Sequence, residues 1–500
     1  MEDSGGLDGD PSSESPHGGK PPAEVINISE RGDVILDVTF QNSKDTIRAA
    51  RKAAQSRYVS PKDPQPKQLP PKAKVRLGFR VNLAVLKRQS RYFEKLLGDA
   101  RFKEANDITS AFASLSLKGV KPADANVGDL PWIEIHDDDA VTSYAYREMA
   151  FADLLRILHG QEAKTAQAQI TMSFVTTLAV LADRFDCTAT ASKYVSMGLK
   201  FKWPLTNRTK LSRDDGSNPG GMSRATESVL RQKILVSWLL NQPSKFQAAT
   251  KEFIMNGSCR WSAFAEDDGD TVNATWWYLQ DGLEEELQYR RASILNTLSS
   301  VPRHFLSLYT SPRGARQCQL GYDSSVSCDS YQLGEMFKFL TNKGLLFLVD
   351  FSPSSLDAVS AADPALLSVD AILTALRQCP AYQIDKNHTN CGLRTRLLPI
   401  LDFIQALLSA NSVPISRAAW KSNRVACAWM PAETKASGGD DDGKPFRFTR
   451  SLAGDQRLRF EDALGADKFA RDVFTATSWD WTAEERGPDN ASTTPRWSWR

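Results

Sequence analysis

The chain has 500 residues, 41% hydrophobic and 24% charged, which is the balance of a globular protein able to bury a sizeable core. Lys and Arg number 62 against 60 Asp and Glu, a formal net charge of +2 that argues against nucleic acid as the default partner. Seven cysteines, an odd number without an export signal, read as reduced thiols or metal ligands rather than a disulfide framework.

In chain order, residues 1–24 are rich in Ser, Gly, Pro and Asp and cannot bury enough apolar area to order themselves. No apolar signal-peptide core follows Met1, and no window reaches the ~18 apolar residues of a membrane span. Gly344–Phe351 and Leu397–Leu408 come nearest and fall short. The expected compartment is cytosol or nucleus, where sequons such as Asn27 and Asn387 carry no weight.

Val34, Leu36, Val38 and Phe40 alternate as a half-buried strand should. A second alternating run, Val75, Leu77, Phe79, Val81 and Leu83, passes directly into helical spacing at Val85, Leu86, Tyr92, Phe93 and Leu97. Between them lies a Lys-, Arg- and Pro-rich segment at 41–74, expected as a solvated loop. The rival reading, a nucleic-acid contact or import signal, lacks stacking aromatics apart from Tyr58. A second insertion, 106–129, is small and polar and reads as a surface loop. Pro131–Ile135 looks like a third strand ending in Asp137-Asp138-Asp139, a solvated turn in preference to a cation site. Ala150–Gly160 has helical periodicity and stops at glycine, and Ile170–Cys187 is a further helix with Phe174, Leu178, Leu181, Ala182 and Phe185 on one side.

Taken together, Asp33-Val34 with Leu36, Phe79-x-Val81, Ser90-x-x-Phe93, Phe151-x-x-Leu154-Leu155 through Gly160, and Leu178-Ala179-Val180-Leu181-Ala182-Asp183 resemble the ordered motifs of a BTB/POZ domain, in its fungal-type branch. Asn82 stands where that family usually has His, and His159 where it has Tyr. The resemblance implies an α+β domain, a small sheet covered by helices, that binds other proteins and catalyses nothing. It further implies self-association through the first strand and its neighbouring helices, or recruitment of a cullin-type ubiquitin ligase. Asp33, Val34, Phe93, Phe151 and Leu154 lie in the matched segments and are the candidate contacts, although most are core positions.

Past a polar linker at 206–225 the periodicity is overwhelmingly helical. Val229, Ile234, Leu235, Trp238 and Leu239 form one stripe, and Leu283, Leu287, Ile294, Leu295 and Leu298 another. A mainly α-helical domain over 226–412 follows, after a first domain over 25–205. The remainder, 413–500, is expected to be largely disordered apart from a short helix near Arg457–Phe474.

One cluster has metal chemistry in it. Cys379, His388 and Cys391 fall within thirteen residues, and Cys318 and Cys328 offer two more thiols. Zinc takes four tetrahedral N or S ligands, so a structural zinc is one reading; buried thiols packing as small hydrophobes is the reading that the loose spacing favours. Gly438–Gly443 before Lys444 fits a phosphate loop by count, but Pro445 replaces the hydroxyl that should hold magnesium. No nucleophile, zincin or dinucleotide motif occurs, and enzyme readings are left without support. Trp276-Trp277-Tyr278 is read as core in preference to an exposed anchor, and Trp479, Trp481, Trp497 and Trp499 as a short linear binding motif. The function expected is therefore a non-enzymatic protein–protein interaction protein, with a transcription- or chromatin-associated scaffold as the alternative.

Overall fold

The computed structural model describes residues 24–56, 70–165, 170–199, 201–206, 222–261, 274–311, 316–318, 320–351, 368–389, 391–431, 445–453 and 466–482. The tail before residue 24, the basic stretch 57–69, the linker centre 207–221, the Gly438–Gly443 run, and Trp497 with Trp499 lie outside these. The structure is mixed α+β and mostly helical, and it divides into two compact units. The first takes the described residues up to Asp139 with Ala145–Thr165 and Phe185–Cys187; the second takes Ala140–Tyr144, the described part of Ala166–Arg184, and the described residues from Thr188 onward.

The first unit contains β1 (Glu24–Asn27), β2 (Val34–Gln41), α1 (Lys44–Ser56), β3 (Lys74–Val81), α2 (Leu83–Gln89), α3 (Arg91–Gly98), α4 (Lys103–Leu117) and β4 (Trp132–Ile135). The single turn α5 (Asp139–Thr142) follows in the chain, with Ala140–Thr142 belonging to the second unit, and α6 (Arg147–Leu158) returns to the first. The sheet order is β1-β3-β2-β4, with β2 antiparallel to β3 and parallel to β4. Despite the long 41–74 connection, β2 and β3 pair without a slip from Val34 opposite Val81 to Gln41 opposite Lys74. A one-residue slip would turn Val34, Leu36, Val38 and Phe40 away from the core, so burial enforces the register. Rings then run through that core: Phe79 lies 5.2 Å from Phe151, Phe151 lies 5.5 Å from Phe185, and Phe93 stacks on Phe185 at 5.2 Å.

Three departures from expectation belong to this unit. The 41–74 segment is not a loop throughout, because Lys44–Ser56 form α1. Residues 106–129 are not a polar surface loop. They carry most of α4, whose Ala105, Ile108, Phe112 and Leu115 recur at helical spacing, and two short turns after it. Leu115, Ala125 and Leu130 cover Ile35 on the second face of the sheet, and the Arg80 guanidinium donates to the Ala123 and Ala125 carbonyls at 3.1 Å. Asp137 is likewise no solvated turn: it forms a buried 2.6 Å ion pair with Arg147.

Local capping explains the sharp strand-to-helix change. Asn82 accepts the Val85 amide at 3.0 Å to start α2, its own amide donates to His159 Nε2, and Asp33 accepts the Leu83 amide at 2.7 Å. Ser90 starts α3 by accepting the Phe93 amide and donates to the Phe185 carbonyl at 2.6 Å. Helix α6 ends before Gly160, whose φ of +71° is where glycine is favoured. Because Ser90 is both a cap and a buried hydrogen-bond donor, Ser90→Ala is expected to cost about 1–3 kcal/mol. Hydrogen exchange at the β2 and β3 amides measures it, and unchanged protection would contradict the double role.

The second unit is helical. It contains α7 (Met172–Arg184), α8 (Thr188–Met197), α9 (Arg224–Leu239), α10 (Pro243–Asn256) and α11 (Leu283–Thr310), then α12 (Ser325–Asn342), α13 (Phe347–Asp350), α14 (Val369–Arg377), α15 (Leu393–Ser409) and α16 (Arg417–Cys427). Helices α17 (Arg450–Ala453) and α18 (Ala466–Phe474) complete it, with a two-residue parallel pair, β5 (Phe446–Arg447) and β6 (Trp479–Asp480). The expected boundary near residue 205 is corrected here. Helix α7 is apolar on nearly every side and packs on α9, which places it and α8 in the helical unit.

The expectation of a largely disordered 413–500 fails for the described part of it. Glu286 and Arg290, one turn apart on α11, form a buried 2.6 Å pair; Glu286 accepts the amides of Trp429 and Met430, and Arg290 donates to the carbonyls of Val413, Pro414 and Cys427. Trp481 is 1% exposed and donates its indole N–H to Ser300 Oγ. Trp479 is half-buried at β6, so these two tryptophans serve the core instead of a linear motif. Of the expected helix at Arg457–Phe474, the described portion is α18. Trp276 and Trp277 are buried against Val180 and Leu235, as read from the sequence, but Tyr278, read with them as core, is 50% exposed with the Arg260 guanidinium over its ring.

A second buried charge group joins α9 to the start of α11. Arg231, fully buried, pairs with Glu227 at 2.8 Å and with both oxygens of Glu284 at 2.7 and 2.8 Å. Burial pushes the Glu284 carboxyl up, but the Arg231 guanidinium, helped by the Trp261 indole, outweighs it and holds the group below its ordinary value of 4.5. A carboxyl lowered on folding adds stability that is complete above its unfolded value and is lost as pH falls through the folded one. Denaturation midpoints taken from neutral pH down through 4.5 should therefore fall more steeply for the wild type than for Glu284→Gln. Parallel curves would refute the assignment.

Candidate functional site

The Cys/His cluster is brought together by α12 and two loops, all in the second unit. Cys328 lies in the first turn of α12; Cys318 precedes that helix, and His388 and Cys391 lie in the loop before α15. The ligand atoms of Cys318, Cys328 and His388 all fall within 4.8 Å of one another. Cys391 stands beside this group of three and outside that mutual distance, its Sγ 3.6 Å from that of Cys328.

Helix α12 is the template on which both loops are fixed. Asp329, next to Cys328, accepts the amides of Gln317 and Cys318 at 2.8 and 3.1 Å. Gln332, one turn from Cys328, donates to the Tyr382 carbonyl and accepts the Leu393 amide. Gly392 lets the second loop approach this closely, because a Cβ there would stand 2.7 Å from the Tyr382 carbonyl oxygen. Arg396 holds the first loop from the other side, donating to the Gln317 side chain and carbonyl. Beside it is a cleft of about 150 Å³ lined by His304, Arg396, Pro399, Arg450 and Trp481.

His388 is fully buried and oriented by Asp385. A carboxylate can only accept, so the 2.9 Å contact assigns the proton to Nδ1 and leaves Nε2 to face the Ser325 hydroxyl and the thiols. Asp385 is itself held by the Ser324 hydroxyl and the Asn387 amide. Those donors, Ser324 first and then the His388 ring, pull its carboxyl down to about 2, and Asp385 in turn raises His388 above its ordinary value. Burial works against ionisation of Cys318. The Ser325 hydroxyl, the Leu320 amide and the neighbouring thiols nonetheless bring Cys318 down to about 7, while burial and the Cys391 sulfur push Cys328 up. This is one acidic thiol among partners, the arrangement from which a soft divalent cation displaces protons.

Of the five residues singled out in the sequence, the structure joins Cys318, Cys328, His388 and Cys391 and leaves out Cys379. That thiol follows α14, is fully buried in the main core, and has its Sγ 3.7 Å from the adjacent Pro380 carbonyl. Burial pushes it up to about 11, as a small apolar residue requires. Asp385, Asp329 and Gln332 went unnoticed in the sequence. The Asp385-x-x-His388 spacing is a local signal for the first; the other two act only through tertiary contact.

The candidate interaction residues are mostly core positions, as expected from the sequence. Val34, Phe93, Phe151 and Leu154 are between 0% and 2% exposed and belong to the core of the first unit. Asp33 is half-buried and spends its carboxylate on the Leu83 amide. Burial nevertheless raises this carboxyl above its ordinary value. The large apolar side chains exposed on this unit are Phe102, Leu117, Val120 and Met149.

Scans against protein-family models, curated proteins and solved structures return no match for this chain. No helix among the described residues is long and apolar enough to cross a membrane.

Proposed function

We propose that the chain is a non-enzymatic interaction protein of cytoplasm or nucleus, with a BTB/POZ-like first unit that pairs with itself or recruits a cullin-type ubiquitin ligase. One observation carries this reading: the matched segments at Asp33–Leu36, Phe79–Val81, Ser90–Phe93 and Phe151–Leu155 close with Phe185 on a single core in chain order, while the last matched segment, Leu178–Asp183, lies on α7 in the helical unit. Val34 opposes Val81 across β2 and β3, β4 adds to β2 in parallel, and Phe93, Phe151 and Phe185 share one aromatic cluster. At the two departures, the Asn82 backbone amide donates to the His159 ring and ties the strand-to-helix junction to the end of α6. Contact with a partner then falls to the exposed apolar side chains Phe102, Leu117, Val120 and Met149, not to the buried residues of the matched motifs.

Two differently tagged copies of the full chain, co-expressed in eukaryotic cells, test the proposal. Capture of one tag should bring down the other copy or a cullin-type scaffold, and Leu117→Asp combined with Met149→Asp should weaken that capture at least several-fold. Recovery of the tagged chain with neither would overturn the reading. The intact chain is the right reagent, since a cut near residue 205 removes α7 and α8 from the helical unit they pack in.

A further inference from the structure

The geometry points to a structural zinc site of one imidazole and three thiolates, Cys318, Cys328, His388 and Cys391, that locks two loops onto the N-terminal end of α12. Two sulfurs on zinc bonds of about 2.3 Å, at the tetrahedral angle, stand about 3.8 Å apart. The Cys328 and Cys391 sulfurs are 3.6 Å apart, close to that edge. A disulfide bond is about 2.05 Å long, so the same pair sits far outside bonding distance for the oxidised alternative.

The donor set selects the ion. Three soft sulfurs and a nitrogen suit zinc and not magnesium or calcium, which require oxygen. Three thiolates and one imidazole also fill a tetrahedral shell, leaving no position for water or substrate, and this marks the site as structural instead of catalytic. The surroundings match that role: Asp385 accepts from His388 Nδ1 at 2.9 Å, which fixes the tautomer with Nε2 toward the sulfurs. Asp329 and Gln332 hold the backbones on either side of the ligands. His388 is completely enclosed, and an imidazole with its second nitrogen turned into a nest of thiols calls for a partner stronger than the 3.3 Å contact with the Ser325 hydroxyl.

Binding replaces the thiol protons with bonds to the ion and releases them to solvent; no electrons are transferred. The test uses the full chain, purified under reducing conditions. Metal analysis should return one zinc per chain. Exchange with Co²⁺ should produce the strong visible absorption of a tetrahedral thiolate complex. Cys391→Ser and His388→Ala should each lower zinc affinity at least ten-fold, while Cys379→Ser should leave the zinc content and the Co²⁺ spectrum unchanged. Because the spectrum is read on the wild type, misfolding of a variant does not blunt the test. A zinc-free wild type that also yields no tetrahedral Co²⁺ spectrum would overturn the assignment, as would a Cys328–Cys391 disulfide in the freshly reduced chain, or a Cys379→Ser variant that loses its metal.

Discussion

Arg231→Met is expected to destabilise the helical unit by about 3–5 kcal/mol, the cost of leaving buried carboxylates without their counter-charge. Arg231 is fully buried between Glu227, also fully buried, and Glu284, and it donates further to the Trp277 carbonyl and Ser258 hydroxyl. The guanidinium also lies 4.7 Å from the Phe253 ring centre and 5.2 Å from that of Trp277. Methionine fills much of the volume but neutralises nothing, so the penalty falls mainly on Glu227. Adding Glu227→Gln and Glu284→Gln removes the stranded charges and should restore a large part of the loss, since neutral replacement of a buried ion group is often nearly free. Urea denaturation followed by tryptophan fluorescence reports it well, because Trp261, Trp276 and Trp277 surround the network. A single-variant loss below about 1 kcal/mol would mean that water reaches the carboxylates.

Stripping zinc from the proposed site is expected to have the second large effect. Zinc binding in free peptides is worth about 10–16 kcal/mol at neutral pH, and only part of that appears where a helix already stands preformed. Removal by a strong chelator with reductant should cost about 3 kcal/mol or more and concentrate its effect on residues 316–318, 320–330 and 382–389. Hydrogen exchange there should accelerate by ten-fold or more, while amides of β2 and β3 in the other unit keep their protection. Uniform loosening of both units, or none, would contradict a local clamp.

How much of this was legible in the sequence depends on what carried the signal. Alternation at Val34–Phe40 and Val75–Leu83 located both strands, and Leu155 to Gly160 located a helix end, because these are short-range periodicities set by the backbone itself. The second insertion was misread because α4 hides Ala105, Ile108, Phe112 and Leu115 among serines and small residues, where composition suggests a loop and only spacing reveals a face. The C-terminal segment was misread for a different reason. Its order depends on Glu286 and Arg290, more than 120 residues earlier, holding the chain at Val413 to Met430. The Cys/His cluster was half legible: His388-x-x-Cys391 is local, but the choice of Cys318 and Cys328 over Cys379 is made by α12 and by the burial of Cys379 in the core.

Native mass spectrometry of the reduced, untagged full chain tests the four-ligand centre most directly. The expected spectrum shows each chain carrying one zinc ion, with protons displaced to match the bound thiolates, and acidification should release the ion and return the bare mass. A chain at its unmodified mass under native conditions, or one lighter by the two hydrogens of a Cys328–Cys391 disulfide, would contradict it.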